Sequence, residues 1–299
     1  TKRGDFVPHM KPMTQERRSE CIKDLEAIGN QEGLDKLWNA ARQGKETTVL
    51  LTGVTGYVGR ALLLQLLRRI QLAEGTNKNN KTKIILIARP DKKGGTAVDR
   101  VEGLRQEAIF SEIPNALWDS VVSVVETRSL SEPDLGCSNA ALRQLRNANI
   151  THIVHSAADV RFESDLGDLA ASNISSALQL QAFARGCSSC ERMIFLSTAF
   201  VNPANGTLDD PLPEALVDLA GYDAQGLYHS MLGDQVKARE VMKELGFHNN
   251  YTFSKCVAEH LLSRDKSKEL CIVRPGIVGP AFVLPEPGTH QHWLSSSSS

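Results

Sequence analysis

Thr47-Thr48-Val49-Leu50-Leu51-Thr52-Gly53-Val54-Thr55-Gly56-Tyr57-Val58-Gly59-Arg60 is the stretch that decides the fold. Its first six residues form a short apolar run of the kind a buried strand needs, and residues 60–70 continue as a helix rich in leucine. Between them the glycines are spaced Gly-x-x-Gly-x-x-Gly. In a strand–turn–helix context the first glycine permits a tight turn, the second lets backbone approach a pyrophosphate, and the third lets the helix pack on the strand. The helix N-terminus offers N–H groups and the positive end of its dipole to phosphates. Thr52, Gly53, Thr55, Gly56, Tyr57, Val58, Gly59 and Arg60 are therefore candidate cofactor-binding residues. A turn of this composition can also serve only to join strand to helix.

The pattern repeats downstream. Residues 83–88 read as a second strand, 121–125 as a third, 151–155 as a fourth, 192–197 as a fifth and 270–274 as a sixth, with helical spacing at 140–146, 169–184, 235–245 and 251–263. Short β-rich runs alternating with helices predict an α/β fold, a doubly wound parallel sheet with helices on both faces. Ligands in such sheets sit beyond the carboxyl ends of the strands. The second strand ends in Arg89-Pro90, with Lys92 and Lys93 following. An acidic residue at that place holds the ribose 2′-hydroxyl of NAD, whereas an arginine accommodates the 2′-phosphate of NADP, so Arg89 argues for NADPH. Basic loop residues are also commonly just solvated.

Tyr251-Thr252-Phe253-Ser254-Lys255 carries the candidate chemistry. Four residues apart on a helix, Tyr251 and Lys255 share a face one turn apart. An ammonium beside a phenol favours the phenolate, so the Tyr251 pKa is expected below its ordinary value of about 10. Such a group can donate a proton at a carbonyl under reduction. Taken alone, the spacing is common and equally describes a surface pair. Ser197-Thr198 at the end of the fifth strand adds hydroxyls that can hold a developing alkoxide, or else merely close the strand with a turn. Ser156-Ala157-Ala158 places small residues where the chain passes the cofactor. Asn173, on the following helix, can fix backbone geometry beneath the site or face solvent. Tyr251 follows Thr198 by 53 positions, more than a simple connection needs, which suits an insertion covering an acyl chain.

With 299 residues, 41% hydrophobic and 23% charged, the chain has the composition of a soluble globular protein. A net charge of −1 gives no case for nucleic acid or a polybasic membrane contact, and no apolar run is long enough for a spanning helix. The N-terminus lacks a signal-peptide core and an initiator methionine, which suggests a processed chain or a fragment. Scattered cysteines, and the isolated Cys187-x-x-Cys190, fit reduced thiols in the cytoplasm better than a metal site. The sequons at Asn149, Asn173, Asn205 and Asn250 read as coincidence, and His155, His229 and His260 as structural. Residues 1–45 read as an extension with two short amphipathic helices between 14 and 42, and 46–299 as the main domain. Segments about 203–249 and 276–299 are assigned to a substrate region.

Gly53-x-x-Gly56-x-x-Gly59, Arg89-Pro90, Ala157-Ala158-Asp159-Val160-Arg161-Phe162, Phe195-Leu-Ser-Thr-Ala-Phe-Val-Asn202, Tyr251-Thr-Phe-Ser-Lys255 and Val273-Arg-Pro-Gly-Ile-Val-Gly279 follow in that order. Together they resemble the reductase domain of the fatty acyl-CoA reductases, in the extended short-chain dehydrogenase/reductase superfamily of Rossmann folds. The likeness runs from about residue 47 to Trp293 and includes Leu284-Pro-Glu-Pro-Gly288. It implies Tyr251 as general acid, Lys255 at the nicotinamide ribose, and Thr198 as the hydroxyl partner ahead of Ser197. It also implies Ala157, Ala158, Ser197, Pro275 and Ile277 along the cofactor. The implied reaction is NADPH-dependent reduction of a long-chain acyl-CoA thioester to aldehyde or alcohol. Arg128-Ser129 stands where the family often has Gly-Asp. Reductive release from an acyl-carrier protein, a nucleotide-sugar epimerase and a non-catalytic NADPH-binding protein are the other readings. Possible membrane attachment is assigned to a region outside this chain.

Overall fold

A computed structural model describes residues 46–74, 81–91, 94–203 and 212–278. The two helices read in residues 14–42, Lys92 and Lys93, residues 204–211, and the 279–299 part of the substrate region lie outside the described residues. The described strands are β1 (Thr47–Thr52), β2 (Thr82–Ala88), β3 (Val122–Glu126), β4 (His152–His155), β5 (Arg192–Leu196) and β6 (Glu269–Val273). All five pairings are parallel and the order is β3-β2-β1-β4-β5-β6. This is the doubly wound arrangement expected from the sequence. The chain reverses its direction of travel across the sheet between β1 and β4, which opens a crevice at their carboxyl ends.

Between the strands run α1 (Tyr57–Glu74), α2 (Ala97–Arg105), α3 (Asn115–Val121), α4 (Asn139–Asn147), α5 (Leu166–Leu169), α6 (Ser176–Gly186), α7 (Ala224–Gly233), α8 (Gln235–Glu244) and α9 (Asn250–Leu262). β1 is buried along nearly its whole length, as a strand covered on both faces must be. Leu50, Ile85, Ile153 and Phe195 share one core with α5 to α9. Neighbours on β1 and β2, Leu51 and Leu86, are buried as well and by strand alternation turn to the other layer. On α1, Leu63, Leu64, Leu67 and Ile70 recur at helical spacing and are buried.

The boundaries differ from expectation in informative places. The helix read over 169–184 extends from Leu166 to Gly186, but a π-turn (Ala170–Ser175) separates α5 from α6. Strand β5 stops at Leu196, so Ser197 and Thr198 follow the strand rather than close it. Helices α2 and α3, nine and seven residues long, were not among the helices read from the sequence. α2 announces itself instead through a capping box, in which Thr96 accepts from the Asp99 amide at 3.1 Å and Asp99 accepts from the Thr96 amide at 2.8 Å. In the long insertion, α7 and α8 turn Ala224, Leu227, Met231, Ala238 and Val241 into the core. Among the described residues no helix is long and apolar enough to cross a membrane.

Gly59 makes the packing of α1 on the turn possible: a Cβ there would stand 2.6 Å from the Gly53 carbonyl carbon and 2.9 Å from Val54 Cα. Gly103 on α2 would meet nothing within 4 Å. Gly59→Ala should therefore lower stability by about 3 kcal/mol or more, while Gly103→Ala raises it by about 0.5–1 kcal/mol through helix propensity. Urea midpoints measure both; equal midpoints for the two variants would contradict the packing described.

Candidate active site

The glycine turn sits at the β1–β4 crevice. Gly53 has φ +79°, and a Cβ on it would lie 2.5 Å from the Ala157 amide nitrogen, so this position is set by backbone conformation and by the neighbouring strand end. Gly56 differs. Its amide donates to the Gly53 carbonyl at 2.9 Å, its residue is exposed, and a Cβ would approach only the Gly53 oxygen, at 3.3 Å. Protein packing accounts for the first and third glycines; the second leaves backbone open where α1 begins. Thr55, Tyr57 and Val58 line that opening, half-buried.

Thr52 lies inside. Its hydroxyl is 2.8 Å from His155 Nδ1 and accepts from the Ala157 amide at 3.3 Å, while its carbonyl accepts from Ser156 Oγ at 2.6 Å. His155 Nε2 in turn meets Ser176 Oγ at 3.3 Å. Burial, assisted by the Lys255 ammonium, pushes the His155 pKa down to about 3, so the ring is neutral and structural. His260 donates to the Val217 carbonyl and His229 pairs with Gln225, which also gives both histidines local structural partners.

Beside the turn, three arginines gather. Arg60 pairs with Glu107 at 3.3 Å, yet its Nε is buried with no hydrogen-bond partner. Arg100 Nη1 donates to the Arg89 carbonyl at 3.4 Å. Burial and then the charges of Arg89 and Arg60 push the Arg100 pKa down, with Asp91 opposing. Sequence reasoning missed Arg100. A signal existed: it lies in the first turns of α2, where the helix dipole disfavours a cation.

Lys255 is 2% exposed. Its ammonium donates to the Leu196 carbonyl at 2.7 Å and sits 4.5 Å from the Phe195 ring centroid. Burial pushes its pKa down to about 7, against the pull of Glu259 one turn further along α9. Tyr251 departs from expectation. Burial raises its pKa, and no lowering by Lys255 is found, because that ammonium is engaged at the end of β5. A raised value keeps the phenol protonated, which a proton donor requires.

Thr198 is buried beside this tie and accepts from the Phe200 amide at 3.2 Å, capping the short turn Ala199–Val201. That is the local role foreseen for a hydroxyl at a strand end, and it leaves the hydroxyl hydrogen to donate elsewhere. Ser197 Oγ is buried without a partner. The Ala199 amide donates to the Pro275 carbonyl at 2.8 Å, which brings Pro275 beside Thr198, and Ile277 beyond it is exposed. Asn173 is fully buried in the π-turn. It accepts from the Asp159 amide at 2.8 Å and donates to the Asp159 carbonyl at 2.9 Å and to Ser254 Oγ at 3.0 Å. Ser254 Oγ donates to the Tyr251 carbonyl at 2.7 Å. Through Asn173 the loop leaving β4, which abuts Gly53, is clamped to the helix that carries Tyr251. The glycine turn, Ala157, Ala158, Thr198, Tyr251 and Lys255 thus gather at one edge of the sheet.

The profile of the NAD-binding family described as male sterility protein matches residues 51–295. The chain belongs to this family. Male sterility relatives with curated descriptions include fatty acyl-CoA reductase 1 of Gallus gallus, 27% identical over 248 residues, and of Xenopus laevis, 28% identical over 254 residues. The matches cover 80% and 82% of this chain but 45% of each relative, so the chain spans about half the length of the curated relatives it matches. Among solved structures the fold is similar to the terminal R domain of the myxalamid PKS-NRPS pathway. There the TM-score is 0.56 at 22% identity, over 78% of this chain and 50% of that one. The reductase domain of a nonribosomal peptide synthetase from Mycobacterium tuberculosis gives TM-score 0.53 at 23% identity, over 79% and 49%. The resemblance drawn from the motifs is borne out, and with it the Rossmann architecture of this male sterility domain.

Cys187 and Cys190 take no part in the site; burial pushes both thiols up, Cys187 to about 11. The pH dependence of stability reports on Lys255. Its folded pKa of about 7 lies below its ordinary 10.5, so the unfolded chain holds an extra proton across that window. Wild-type stability relative to Lys255→Met should then rise with pH, by up to about 1.4 kcal/mol per unit between the two values, and flatten below the lower one. Chemical denaturation of both proteins from mildly acidic to alkaline pH measures this. A constant difference would show that the ammonium is not buried.

Proposed function

We propose that the chain reduces a long-chain fatty acyl-CoA thioester to the aldehyde or alcohol with NADPH, Tyr251 acting as general acid. What carries the reading is that Tyr251 and Lys255 stand on one helix face at the sheet edge that also holds the glycine turn and Thr198. The cofactor fits the residues present. The open backbone at Gly56 and the start of α1 suit a pyrophosphate, and the orphaned Nε of Arg60 among three guanidinium groups suits a further phosphate. When bound, NADPH supplies the hydride that adds to the thioester carbon, from which CoA thiolate leaves.

The chain's own residues do the rest. Thr55 to Gly59 and the first turn of α1 hold the pyrophosphate, and Arg60, Arg89 and Arg100 hold the 2′-phosphate. Ala157 and Ala158 give the dinucleotide room; Ser197, Pro275 and Ile277 border it. Lys255 binds the nicotinamide ribose. Thr198 donates to the carbonyl oxygen and steadies the charge that develops on it. Tyr251, whose phenol pKa burial holds above its ordinary value, would deliver its proton to that oxygen to give a hemithioacetal. Return of the proton as CoA thiolate departs would leave the aldehyde; a second NADPH would supply the hydride for the alcohol. A cytoplasmic location belongs to the same reading.

NADPH consumption with palmitoyl-CoA, a carrier-bound acyl group and a UDP-sugar separates the substrate classes; turnover only with the carrier-bound group would favour reductive release. Tyr251→Phe should lower turnover by about 10²-fold or more while NADPH affinity stays within about twofold. Wild-type rates in that variant would contradict the mechanism. Arg89→Asp and Arg100→Ala should each weaken 2′,5′-ADP binding roughly tenfold, with 5′-AMP little changed. Equal loss of both nucleotides would remove these residues from 2′-phosphate recognition.

A further inference from the structure

Tyr251 has an aromatic ring beside it that the fold holds out of the core. Phe162 is 61% exposed, and its ring centroid lies 6.0 Å from that of Tyr251 at an interplanar angle of 40°. On the same loop Val160 is 62% exposed; Phe200, on the turn capped by Thr198, is 50% exposed. Ile277, beyond Pro275, is 73% exposed. The three segments leave the carboxyl ends of β4, β5 and β6, the edge that holds the candidate site. A large exposed ring held beside the candidate proton donor is more than a scattered surface apolar residue.

The Phe162 loop is built to be stiff. The Asp159 carboxylate accepts from the Arg161 amide at 3.0 Å, from the Arg161 guanidinium at 2.6 Å and from Ser164 Oγ at 3.1 Å. Asn173 grips both backbone groups of Asp159, and Asn250, the first residue of α9, donates to the Ser164 carbonyl at 2.9 Å. Nothing in the core needs Phe162 where it is: it packs outward, over the phenol. The loop's exposed cation, Arg161, is neutralised by Asp159. With that cation paired and Glu163 exposed next to Phe162, the loop over Tyr251 presents a hydrocarbon ring and no free positive charge, a surface that suits methylene groups better than a phosphate.

We propose that Phe162 is a specificity-determining residue: its ring packs the acyl methylenes next to the thioester against Tyr251, with Val160 extending the same wall. This rests on the acyl-thioester reading above. Chain methylenes held there set the carbonyl oxygen toward the Tyr251 hydroxyl and keep water from the proton being transferred. Burial of each methylene against the wall adds binding that a two-carbon acyl group cannot obtain.

The test is kcat/KM for acetyl-, octanoyl- and palmitoyl-CoA in wild type, Phe162→Ala, Phe162→Leu and the control Leu72→Ala, whose side chain is exposed near the far end of α1. Thermal unfolding and NADPH binding of each protein are measured alongside. Phe162→Ala should lower the palmitoyl-to-acetyl ratio of kcat/KM roughly tenfold or more, Phe162→Leu should recover part of it, and Leu72→Ala should keep the wild-type ratio. An unchanged ratio in Phe162→Ala, with an active wild type, overturns this inference and leaves the reductase reading standing. Loss in Phe162→Ala that is equal for all chain lengths, or tracks a fall in unfolding temperature, overturns it as well. A wild type inactive on every acyl-CoA takes down the thioester reading and this inference together.

Discussion

An ammonium with almost no access to water holds the site together. Lys255 could not remain charged in that position without a compensating partner, since an unpaired buried cation costs several kcal/mol. The Leu196 carbonyl at the end of β5 and the face of Phe195 offset part of that cost, although burial still pulls the pKa down to about 7. The consequence is mechanical: α9 cannot slide along the sheet without stranding the charge. One turn further, Glu259 is buried and takes the Arg274 guanidinium, which also donates to the Ala215 carbonyl at 2.8 Å. Arg274 leads directly into Pro275, whose carbonyl receives the Ala199 amide. Lys255 and Glu259 thus pin α9 to the carboxyl ends of β5 and β6, and Tyr251, Thr198 and Pro275 inherit their places from that pinning.

The same edge is where local rules are broken. Ser197 Oγ and Arg60 Nε are buried without partners, Arg100 stands at the wrong end of a helix dipole, and Phe162 and Ile277 face outward. Local rules are broken elsewhere too: Arg192 Nε, at the start of β5, is buried without a hydrogen-bond partner, and Leu72 and Val236 are exposed. The departures that bear on a ligand are those beside the glycine turn and Tyr251, where several fall together. Gly56 makes the same point within one motif. Its two neighbours in the triplet are demanded by a positive φ or by a clash with backbone, whereas the space at Gly56 opens outward.

Most of the architecture was legible in the sequence because buried parallel strands read as apolar runs and the glycine triplet marks the first crossover. Tyr251, Lys255 and Thr198 were legible as residues, but not the state of the phenol. The i, i+4 spacing says that two side chains share a face; it does not say that the lysine will turn to a main-chain carbonyl 59 positions away in sequence. The π-turn was illegible for a similar reason: residues 170–175 carry ordinary helical composition, and the irregularity arises from Asn173 bonding across to Asp159 and Ser254. α2 and α3 were missed although Ala97, Val101 and Leu104, and Leu117, Trp118 and Val121, stand at helical spacing, because the two helices are only nine and seven residues long. Arg100 was missed with them, since only the fold brings it to Arg89 and Arg60. Phe162 was visible within a motif, yet its exposure and its place on Tyr251 are properties of the folded loop.

In the proposed function the glycine turn and the Tyr251–Lys255 pair address two ends of one nicotinamide dinucleotide. A crystal structure of the complex with NADPH decides this. The expected complex has the pyrophosphate at Gly56 and the start of α1, the 2′-phosphate among Arg60, Arg89 and Arg100, and the nicotinamide ribose hydrogen-bonded to Lys255 with the ring beside Tyr251. A pyrophosphate at the turn with the nicotinamide directed away from α9 would contradict it.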